Sequence, residues 1–316
     1  MVRSGSYPVM IRPHLQKDMD GVLNIDKPDG MTSHDVVKAV RKKFRTSKVG
    51  HLGTLDPMAT GVLPVAVGKA TRMAPFIPNS PKEYEGQVRF GFATNTYDRE
   101  GTPTTEERPL EGDVEGAMSM LTGAIDQLPP PFSAKKIMGV PAYKLARKNQ
   151  SIEMTPARVE IRKFEMLSLN PPLMRFRVVC SPGTYVRSLV HDLGQRLGCG
   201  AHLTELRRTR SGTFVVENAV RLDRMANDDL IPLDDLLPGV ARIEVSAIDE
   251  RKVIHGNPVR CELTGPELVC IFNKRGEFIA VARTENGLAH PRLVLTSINS
   301  NRNDMLGCIL EKENES

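Results

Sequence analysis

A single acidic residue, Asp56, has the setting that covalent chemistry requires, within the segment GHLGTLDPMATGVLPVAVGKATR at residues 50–72 of the 316-residue chain. Pro57 follows it directly, and the residue before a proline is kept out of the helical region. Gly53 and Gly61 flank it and permit tight bends of the backbone. These neighbours predict a rigid loop, where a held carboxylate can act as a nucleophile. An Asp–Pro pair also occurs in ordinary turns, so this segment alone leaves both interpretations open.

The cysteines and histidines argue against a metal site. The five cysteines include no C-x-x-C pair, and the seven histidines lack the spacing of paired metal ligands. The chain also has neither a Walker-type phosphate loop nor a dinucleotide-binding glycine fingerprint. An odd number of cysteines favours a reducing compartment.

The composition is typical of a globular protein that does not contact membranes. Hydrophobic residues make up 40% and charged residues 26% of the chain. No apolar run approaches the roughly 18 residues of a membrane helix, and the first residues lack the apolar stretch of a secretory signal. Together with the cysteine count, these features predict a cytoplasmic location.

The net charge of +5 is distributed unevenly. Residues 1–243 carry 34 Lys and Arg against 27 Asp and Glu, whereas residues 244–316 carry 9 against 11. A basic excess in the larger part suits an anionic partner, although it also suits simple solubility. Aromatic residues are only 5% of the chain and Trp is absent, which argues against broad stacking surfaces for single-stranded nucleic acid.

The segments before the Asp56 loop predict a strand followed by a basic helix. Residues 21–26 have the pattern of a short strand, and Thr32 or Ser33 offers a helix cap with Asp35 in the first turn. Val36, Val40 and Phe44 form the apolar face of this helix. Basic residues occupy much of the rest of its surface. The helix leads directly into the Asp56 loop.

Alternating apolar and polar side chains, typical of half-buried strands, mark residues 84–92, 157–169 and 173–180. The second of these segments changes phase near Arg162, which indicates a bulge. Residues 184–197 predict a helix that ends at Gly198. Because helices and strands mix without strict β–α–β alternation, we expect an α+β fold with a largely antiparallel sheet.

Two segments stand apart from this pattern. Residues 129–150 begin with a proline run and are rich in Lys and Arg, so we interpret them as a binding loop with a short helix. An acidic, proline-interrupted stretch near 225–245 predicts a boundary, and residues 268–284 predict a hairpin turning at Gly276. We therefore expect an N-terminal arm over 1–20, a main domain over 21–243 and a small β module over 244–316.

Six motifs follow one another within residues 20–215: GVLNIDKPDGMTSHDVV, GHLGTLDPMATGVLPV, KEYEGQVRFGFATNTYDREG, PPPFSAKKIMGVPAYKLAR, CSPGTYVRSLVHDLG and GAHLTELRRTRSG. Together they resemble the motifs of the tRNA pseudouridine synthase B family, bacterial enzymes that isomerise uridine 55 in the T loop of tRNA. Six ordered motifs are far more specific than any one of them.

The resemblance implies a twisted, largely antiparallel mixed sheet flanked by helices, followed by a PUA-like β module. It makes residues 21–243 the catalytic domain and residues 129–150 an RNA-gripping insertion. The implied reaction breaks the C1′–N1 bond of uridine, turns the uracil and joins C1′ to C5. No redox step or external atom enters, so we expect no cofactor and no metal. Whether the nucleophile attacks C1′ or the uracil ring stays open.

The catalytic residues that the resemblance implies are Asp56, Tyr84 and Arg187. Arg187 can pair with Asp56 and keep it ionised. Tyr84 can pack against the base, and Leu206 would line the uracil pocket. His51 would stack where the target base leaves the RNA loop, and Lys27 would either support the catalytic loop or meet a phosphate.

The target base is stacked inside a folded RNA, and flipping it out costs roughly a few kcal/mol. Contacts from Lys and Arg to phosphates would offset this cost. We expect phosphate contacts from Lys135, Lys136 and Arg147 in the 129–150 segment and from Arg207, Arg208 and Arg210.

Three alternatives compete with a stand-alone synthase. A tRNA-binding folding helper would bind without chemistry, and a guide-RNA-dependent synthase of the same superfamily would work inside a multi-protein particle. A glycoside hydrolase would need a second carboxylate, for which Asp98 or Glu100 is the candidate. We expect a monomer that acts on the T stem-loop of tRNA without an obligatory protein partner.

Overall fold

The computed structural model describes residues 19–133, 136–137, 140–141, 154–263, 265 and 267–296, and for 136–137 and 140–141 it describes the backbone pairing only. The expected short helix within 129–150 and nearly all of the expected arm over 1–20 therefore lie outside the described residues. No described helix is long and apolar enough to cross a membrane.

The strands are β1 Gly21–Lys27, β2 Val49–His51, β3 Thr60–Val67, β4 Lys82–Phe90, β5 Gly123–Gln127, β6 Lys136–Ile137, β7 Val140–Pro141, β8 Ala157–Asn170, β9 Leu173–Cys180, β10 Ala201–Ser211, β11 Phe214–Val215, β12 Val220–Arg221, β13 Ala241–Glu244, β14 Val259–Arg260, β15 Leu268–Phe272, β16 Phe278–Glu285 and β17 Leu288–Val294. The α-helices are α1 Ser33–Phe44, α2 Ala70–Met73, α3 Val114–Ser119, α4 Val186–Arg196 and α5 Ala247–Ile254. Short 3-10 turns lie at Val216–Asn218, Asn227–Asp229 and Leu233–Asp235.

A large mixed sheet forms the centre of the described structure. Its strand order is β12-β1-β3-β10-β4-β9-β8-β5, with β2 added to β3 and β11 added to β10. Most pairs are antiparallel, but β3 and β10 run parallel, as do β1 and β12. A second sheet, in the order β13-β15-β16-β17-β14, follows it in the chain. The expected α+β class, with a largely antiparallel sheet and a small C-terminal β module, is confirmed.

Both faces of the central strands are buried. On β3, Leu63, Val65 and Val67 point to a core that contains α1 and α4, whereas Val62 and Ala66 point to the opposite side. That opposite side packs against residues of the second sheet, including Phe272, Val281 and Leu293. Two-sided burial explains why β3 is apolar at almost every position instead of alternating. The division into domains at residues 243 and 244 stays a prediction, since the two sheets share this core.

Several helix ends and a strand irregularity occur where the local sequence predicts them. Thr32 accepts a hydrogen bond from the backbone of Asp35 while the Asp35 carboxylate accepts one from Thr32, so α1 begins with a capping box. Gly198 follows α4 with φ +71°, the left-handed conformation of a helix end. The expected bulge in β8 is present between Ile161 and Lys163. Strand β4 begins two residues before the predicted segment, at Lys82.

Candidate active site

The loop that carries Asp56 connects β2 to β3 and is held through its carbonyl groups. Arg208 on β10 donates from Nη2 to the carbonyl of Gly53 at 3.1 Å and from Nη1 to that of Thr54 at 3.2 Å. Its Nε donates to the carbonyl of Val62 at 2.7 Å. Arg208 is only 1% exposed. The expectation that it grips phosphate groups is therefore wrong, because its guanidinium is engaged within the protein.

Two further side chains complete this support. The Ser33 hydroxyl at the start of α1 donates to the carbonyl of Leu55 at 3.0 Å and accepts from its N–H at 2.8 Å. Lys27 at the end of β1 donates from Nζ to the carbonyl of Pro57 at 3.0 Å. Of its two expected roles, the structure gives Lys27 the support of the loop, because its side chain is fully buried and cannot meet a phosphate.

Gly61 allows the loop to lie this close to β10. It pairs with Arg208 in the parallel register of β3 and β10, and its φ is +95°. A Cβ at this position would collide with the Arg208 carbonyl group, so a larger residue would separate the two strands. The glycine that the sequence marks as a bend is thus also the point of closest approach.

The expected ion pair between Asp56 and Arg187 is present. Arg187, in the first turn of α4, donates from Nη2 to Asp56 Oδ1 at 2.9 Å, and its Nε lies 2.8 Å from Oδ2. Both carboxylate oxygens are therefore contacted by one planar fork. Arg187 is 5% exposed, whereas about a third of the Asp56 side chain remains accessible. The cation is buried and the anion faces the open space, as a nucleophile must.

Arg187 holds a second acid, Asp98, which the sequence analysis considered only as the second carboxylate of a hydrolase. Its Nη1 donates to Asp98 Oδ2 at 3.2 Å and to the carbonyl of Thr96 at 3.0 Å. Its Nη2 also donates to the carbonyl of Phe132 at 3.0 Å, which fixes the first part of the 129–150 segment to the site. Asp98 is buried behind Arg187, so it is not a second carboxylate facing a substrate. This placement does not support the hydrolase alternative.

Asp56, Tyr84, Arg187 and Leu206 line one cavity of about 280 Å³. This volume is at the small end of the range for ligand pockets, which suits a single nucleoside. Tyr84 lies on β4 beside Arg208 of β10, and its side chain is buried against the cavity. Burial raises the pKa of Tyr84, so its hydroxyl stays protonated at neutral pH. The structure thus brings together the residues that the motifs separate by up to 150 positions.

The remaining expected binding residues have varied positions. His51 on β2 is half-buried and does not line the cavity, although the next residue, Leu52, does. Burial lowers the pKa of His51, so its ring is neutral at pH 7. Arg207 is partly exposed and forms a two-bond pair with Asp26, with Nη2 to Oδ2 at 2.9 Å. Arg210 is also exposed and lies 3.8 Å from Glu83. The side chains of Lys135, Lys136 and Arg147 lie outside the described residues.

Sequence reasoning missed two groups at the cavity wall. Tyr185 is fixed by Gln127, which accepts from the Tyr185 N–H at 2.8 Å and donates to its carbonyl at 3.1 Å. Lys82 is 6% exposed, lines the cavity and donates to the Ser211 hydroxyl at 2.7 Å. Its position two residues before Tyr84 was a usable signal, because alternate residues of a strand share a face.

Replacing Lys82 by Met should remove a pH-dependent part of the stability. Burial, aided by the nearby charge of Arg208, lowers the pKa of Lys82 from 10.5 to about 8. Between these pH values the unfolded chain binds a proton that the folded protein has released, so parental stability rises with pH. Between about pH 7.5 and pH 10.5, we expect the free energy of unfolding of the parent to rise by about 1–3 kcal/mol more than that of the variant. Urea denaturation of both proteins at about pH 7.5 and pH 10.5 measures it, with Lys163→Met on the surface of β8 as control. An equal pH dependence of parent and Lys82→Met would contradict the expectation.

Known proteins are similar to this chain over most of its length. The chain matches the family models "TruB family pseudouridylate synthase (N terminal domain)" over residues 41–186 and "tRNA pseudouridylate synthase B C-terminal domain" over residues 187–237. It is 43% identical over 294 residues to tRNA pseudouridine synthase B of Solibacter usitatus, covering 88% of this chain and 100% of that protein. It is 46% identical over 247 residues to the protein of that name from Symbiobacterium thermophilum, covering 76% and 83%.

Two solved structures share the fold. A chain in the crystal structure of a Cbf5-Nop10-Gar1 complex aligns with a TM-score of 0.63 at 26% identity, over 88% of this chain and 85% of that one. A chain in a structure of an H/ACA RNP bound to a substrate RNA containing 2′-deoxyuridine gives 0.64 at 25%, over 89% and 86%. The family models and the bacterial relatives cover most of the chain, including Asp56, Tyr84 and Arg187, and the chain therefore belongs to the tRNA pseudouridine synthase B family.

Proposed function

We propose that this protein converts uridine to pseudouridine at position 55, in the T loop of tRNA, and that Asp56 is the nucleophile. Family membership makes the chain a pseudouridine synthase acting on tRNA. The observation that carries the finer proposal is the accessible Asp56 carboxylate, held by a buried arginine at the wall of a nucleoside-sized cavity. The T loop and position 55 are inferred from the six motifs and from the family name that the relatives share.

The proposed reaction begins when the Asp56 carboxylate attacks C1′ of the flipped-out uridine. The C1′–N1 bond breaks, its electron pair goes to the uracil ring, and an ester joins Asp56 to C1′. The ring turns, C5 attacks C1′, and the carboxylate leaves. A base then removes the C5 proton and N1 takes up a proton, which restores the aromatic ring and gives neutral pseudouridine. Attack at C1′ is the step by which retaining glycosidases use a carboxylate on a comparable bond.

Arg187 has two functions in this scheme. Its guanidinium lies against both oxygens of the Asp56 carboxylate before attack, so the nucleophile has a cationic partner in contact. It also fixes the carboxylate plane through two contacts, which reduces the freedom that must be lost on reaching C1′. Since Arg187 is itself held by Asp98 and the Thr96 carbonyl, it does not follow Asp56 as the ester forms.

The size of the cavity suits base flipping. A cavity of about 280 Å³ receives one base and its ribose, so the target uridine must leave the RNA stack. We propose that Tyr84 packs on the base and that Leu206 lines the pocket that holds it. His51, which precedes the cavity-lining Leu52 and is neutral, would stack on the RNA from which the base has left.

Binding of tRNA should depend strongly on salt, with a log–log slope of about −3 to −5 if about five phosphates are contacted. Replacing Lys135, Lys136, Arg147 and Lys148 together by Gln should weaken binding and reduce the slope by about 3, because four phosphate contacts are lost. Filter binding at several salt concentrations measures both quantities.

The matched control neutralises the C-terminal module instead. Arg283 and Arg292 are exposed on the second sheet, and we expect their replacement by Gln to change the slope by less than the loop variant does. Deleting the module is a poorer control, because its sheet shares a core with β3. A larger loss for the Arg283 and Arg292 variant would make this module the main RNA contact.

Incubation with an unmodified tRNA transcript, followed by mapping of pseudouridine, tests the proposed function. We expect modification at position 55 and no other site of comparable yield. Modification at another position would overturn the T-loop assignment but would still support the proposed reaction. Tight binding of tRNA without any pseudouridine would favour the folding helper. The monomeric state and the lack of an obligatory protein partner stay predictions.

A further inference from the structure

Two lysines are buried near the catalytic loop, and their hydrogen bonding differs. Lys27 donates to three carbonyl groups, those of Pro28 at 2.8 Å, Met31 at 2.6 Å and Pro57 at 3.0 Å. An ammonium group has three donors, so Lys27 is fully used in holding the backbone. Lys82 has a single hydrogen-bond partner among the described residues, the Ser211 hydroxyl at 2.7 Å. Two of its donors are left for a ligand.

The position of Lys82 directs those donors toward the cavity. It lies two residues before Tyr84 on β4, so both side chains are on one face of the strand, about 6.8 Å apart along it. Both line the cavity that contains Asp56. Gly53 of the Asp56 loop lines the same cavity. A Cβ added to Gly53 would lie 3.4 Å from Lys82 Nζ. The amine therefore stands beside the catalytic loop, on the same wall as the residue expected to pack on the base.

The charge around Lys82 is unbalanced. Lys82 Nζ and Arg208 Nη1 both approach Gly53, at 3.4 Å and 3.7 Å from the position of a Cβ there, and no described acid forms an ion pair with Lys82. Two buried cations side by side cost free energy unless an anion compensates them. Asp56 does not compensate them, because its carboxylate is bonded to Arg187. This wall of the cavity is thus suited to a ligand that carries or develops negative charge.

We propose that Lys82 contacts the uracil ring after the C1′–N1 bond breaks and stabilises its negative charge. The inference rests on the proposed function, in which the electron pair of that bond goes to the ring as Asp56 bonds to C1′. The charge spreads over N1 and the two carbonyl oxygens of the ring, and Lys82 donates an N–H to one of these atoms. When C5 attacks C1′, the charge leaves the ring and the contact weakens. Lys82 takes no proton in these steps.

Single-turnover measurements on Lys82→Met test this inference. Met keeps the apolar stem and removes the charge, and we expect the rate of pseudouridine formation to fall about 100- to 1000-fold, as on loss of one donor to a developing anion. The dissociation constant for tRNA should change by less than about threefold, because the contact forms only after the bond breaks. Circular dichroism and thermal unfolding check the fold, and Lys82→Gln is the second variant if Lys82→Met does not fold.

Ser211→Ala is the matched control. It removes the one described hydrogen-bond partner of Lys82 and leaves the amine, so we expect a rate within about threefold of the parent. If Lys82 served only to hold Ser211, the two variants would have similar, small effects on the rate. That outcome would overturn the inference.

A uracil that is a better leaving group distinguishes a contact to the ring from a structural role of Lys82, because only the contact depends on the stability of the ring anion. Fluorine at C5 withdraws electrons and stabilises the ring anion, so a transcript with 5-fluorouridine at the target needs Lys82 less. The ratio of parental to Lys82→Met rates, measured as consumption of the target nucleoside, should be clearly smaller than with uridine. An equal ratio would overturn the inference. If the parent itself forms no pseudouridine, the proposed function fails; if the parent is active and Lys82→Met equals it, only the role of Lys82 fails.

Discussion

Substituting Asp56 by Asn should abolish pseudouridine formation while leaving the fold and the binding of tRNA intact. Asn has the shape of Asp but cannot form the ester to C1′, and loss of a covalent nucleophile costs about 10⁴- to 10⁶-fold in rate. The Asn oxygen can still accept from Arg187 Nη2, and Arg187 keeps its pair with Asp98. We therefore expect the free energy of unfolding to change by about 1–2 kcal/mol at most.

Single-turnover assays with the transcript, together with tRNA binding and thermal unfolding, measure these three quantities. Asp126→Asn is the control, because Asp126 also pairs with an arginine, Arg158 at 3.3 Å, but on the exposed edge of the sheet. Pseudouridine formation by Asp56→Asn near the parental rate would remove Asp56 from the mechanism. Binding of tRNA without turnover would also separate catalysis from any folding activity.

Substituting Arg187 by Leu should lower both activity and stability. The sequence suggests a loss mainly of activity, because Asp56 loses its charge partner. The structure adds a second cost, since the buried Asp98 would lose its cationic partner and keep only the Thr96 hydroxyl and the Glu100 N–H as donors. Removing one partner of a buried pair costs about 3–5 kcal/mol. Urea denaturation and single-turnover rates, measured on the same preparation, give both effects.

The double variant Arg187→Leu with Asp98→Asn separates the two effects. Asn removes the uncompensated charge, so we expect part of the stability to return while the activity stays low. Arg177→Leu is a matched control, because its pair with Glu85, Nη2 to Oε1 at 2.6 Å, is partly exposed and should contribute less than about 1 kcal/mol. A fully stable Arg187→Leu would contradict the importance of the buried pair, and a fully active one would contradict its role at Asp56.

Strand alternation, helix caps and the order of the motifs could be interpreted from the sequence alone. The faces of β4 and β9, the capping box at Thr32 and the end of α4 at Gly198 depend on neighbouring residues, and neighbours are what a sequence displays. The choice of Asp56 depends on the same kind of information, since Pro57 and the flanking glycines define its loop. The pairing of Asp56 with Arg187 came from the motifs and not from local patterns.

The roles of the buried polar residues were decided by the tertiary structure. Arg207 and Arg208 are adjacent and look alike in the sequence, yet one is partly exposed and the other holds the Asp56 loop from a distance of 154 residues along the chain. The parallel pairing of β3 with β10 makes this difference, because it turns Arg208 toward the loop. Asp98 and Lys82 likewise became part of the site only when β4, α4 and the loop after β4 met around one cavity. A charged side chain has the same sequence signature in water and in a core, since its burial is set by partners that are distant in the chain.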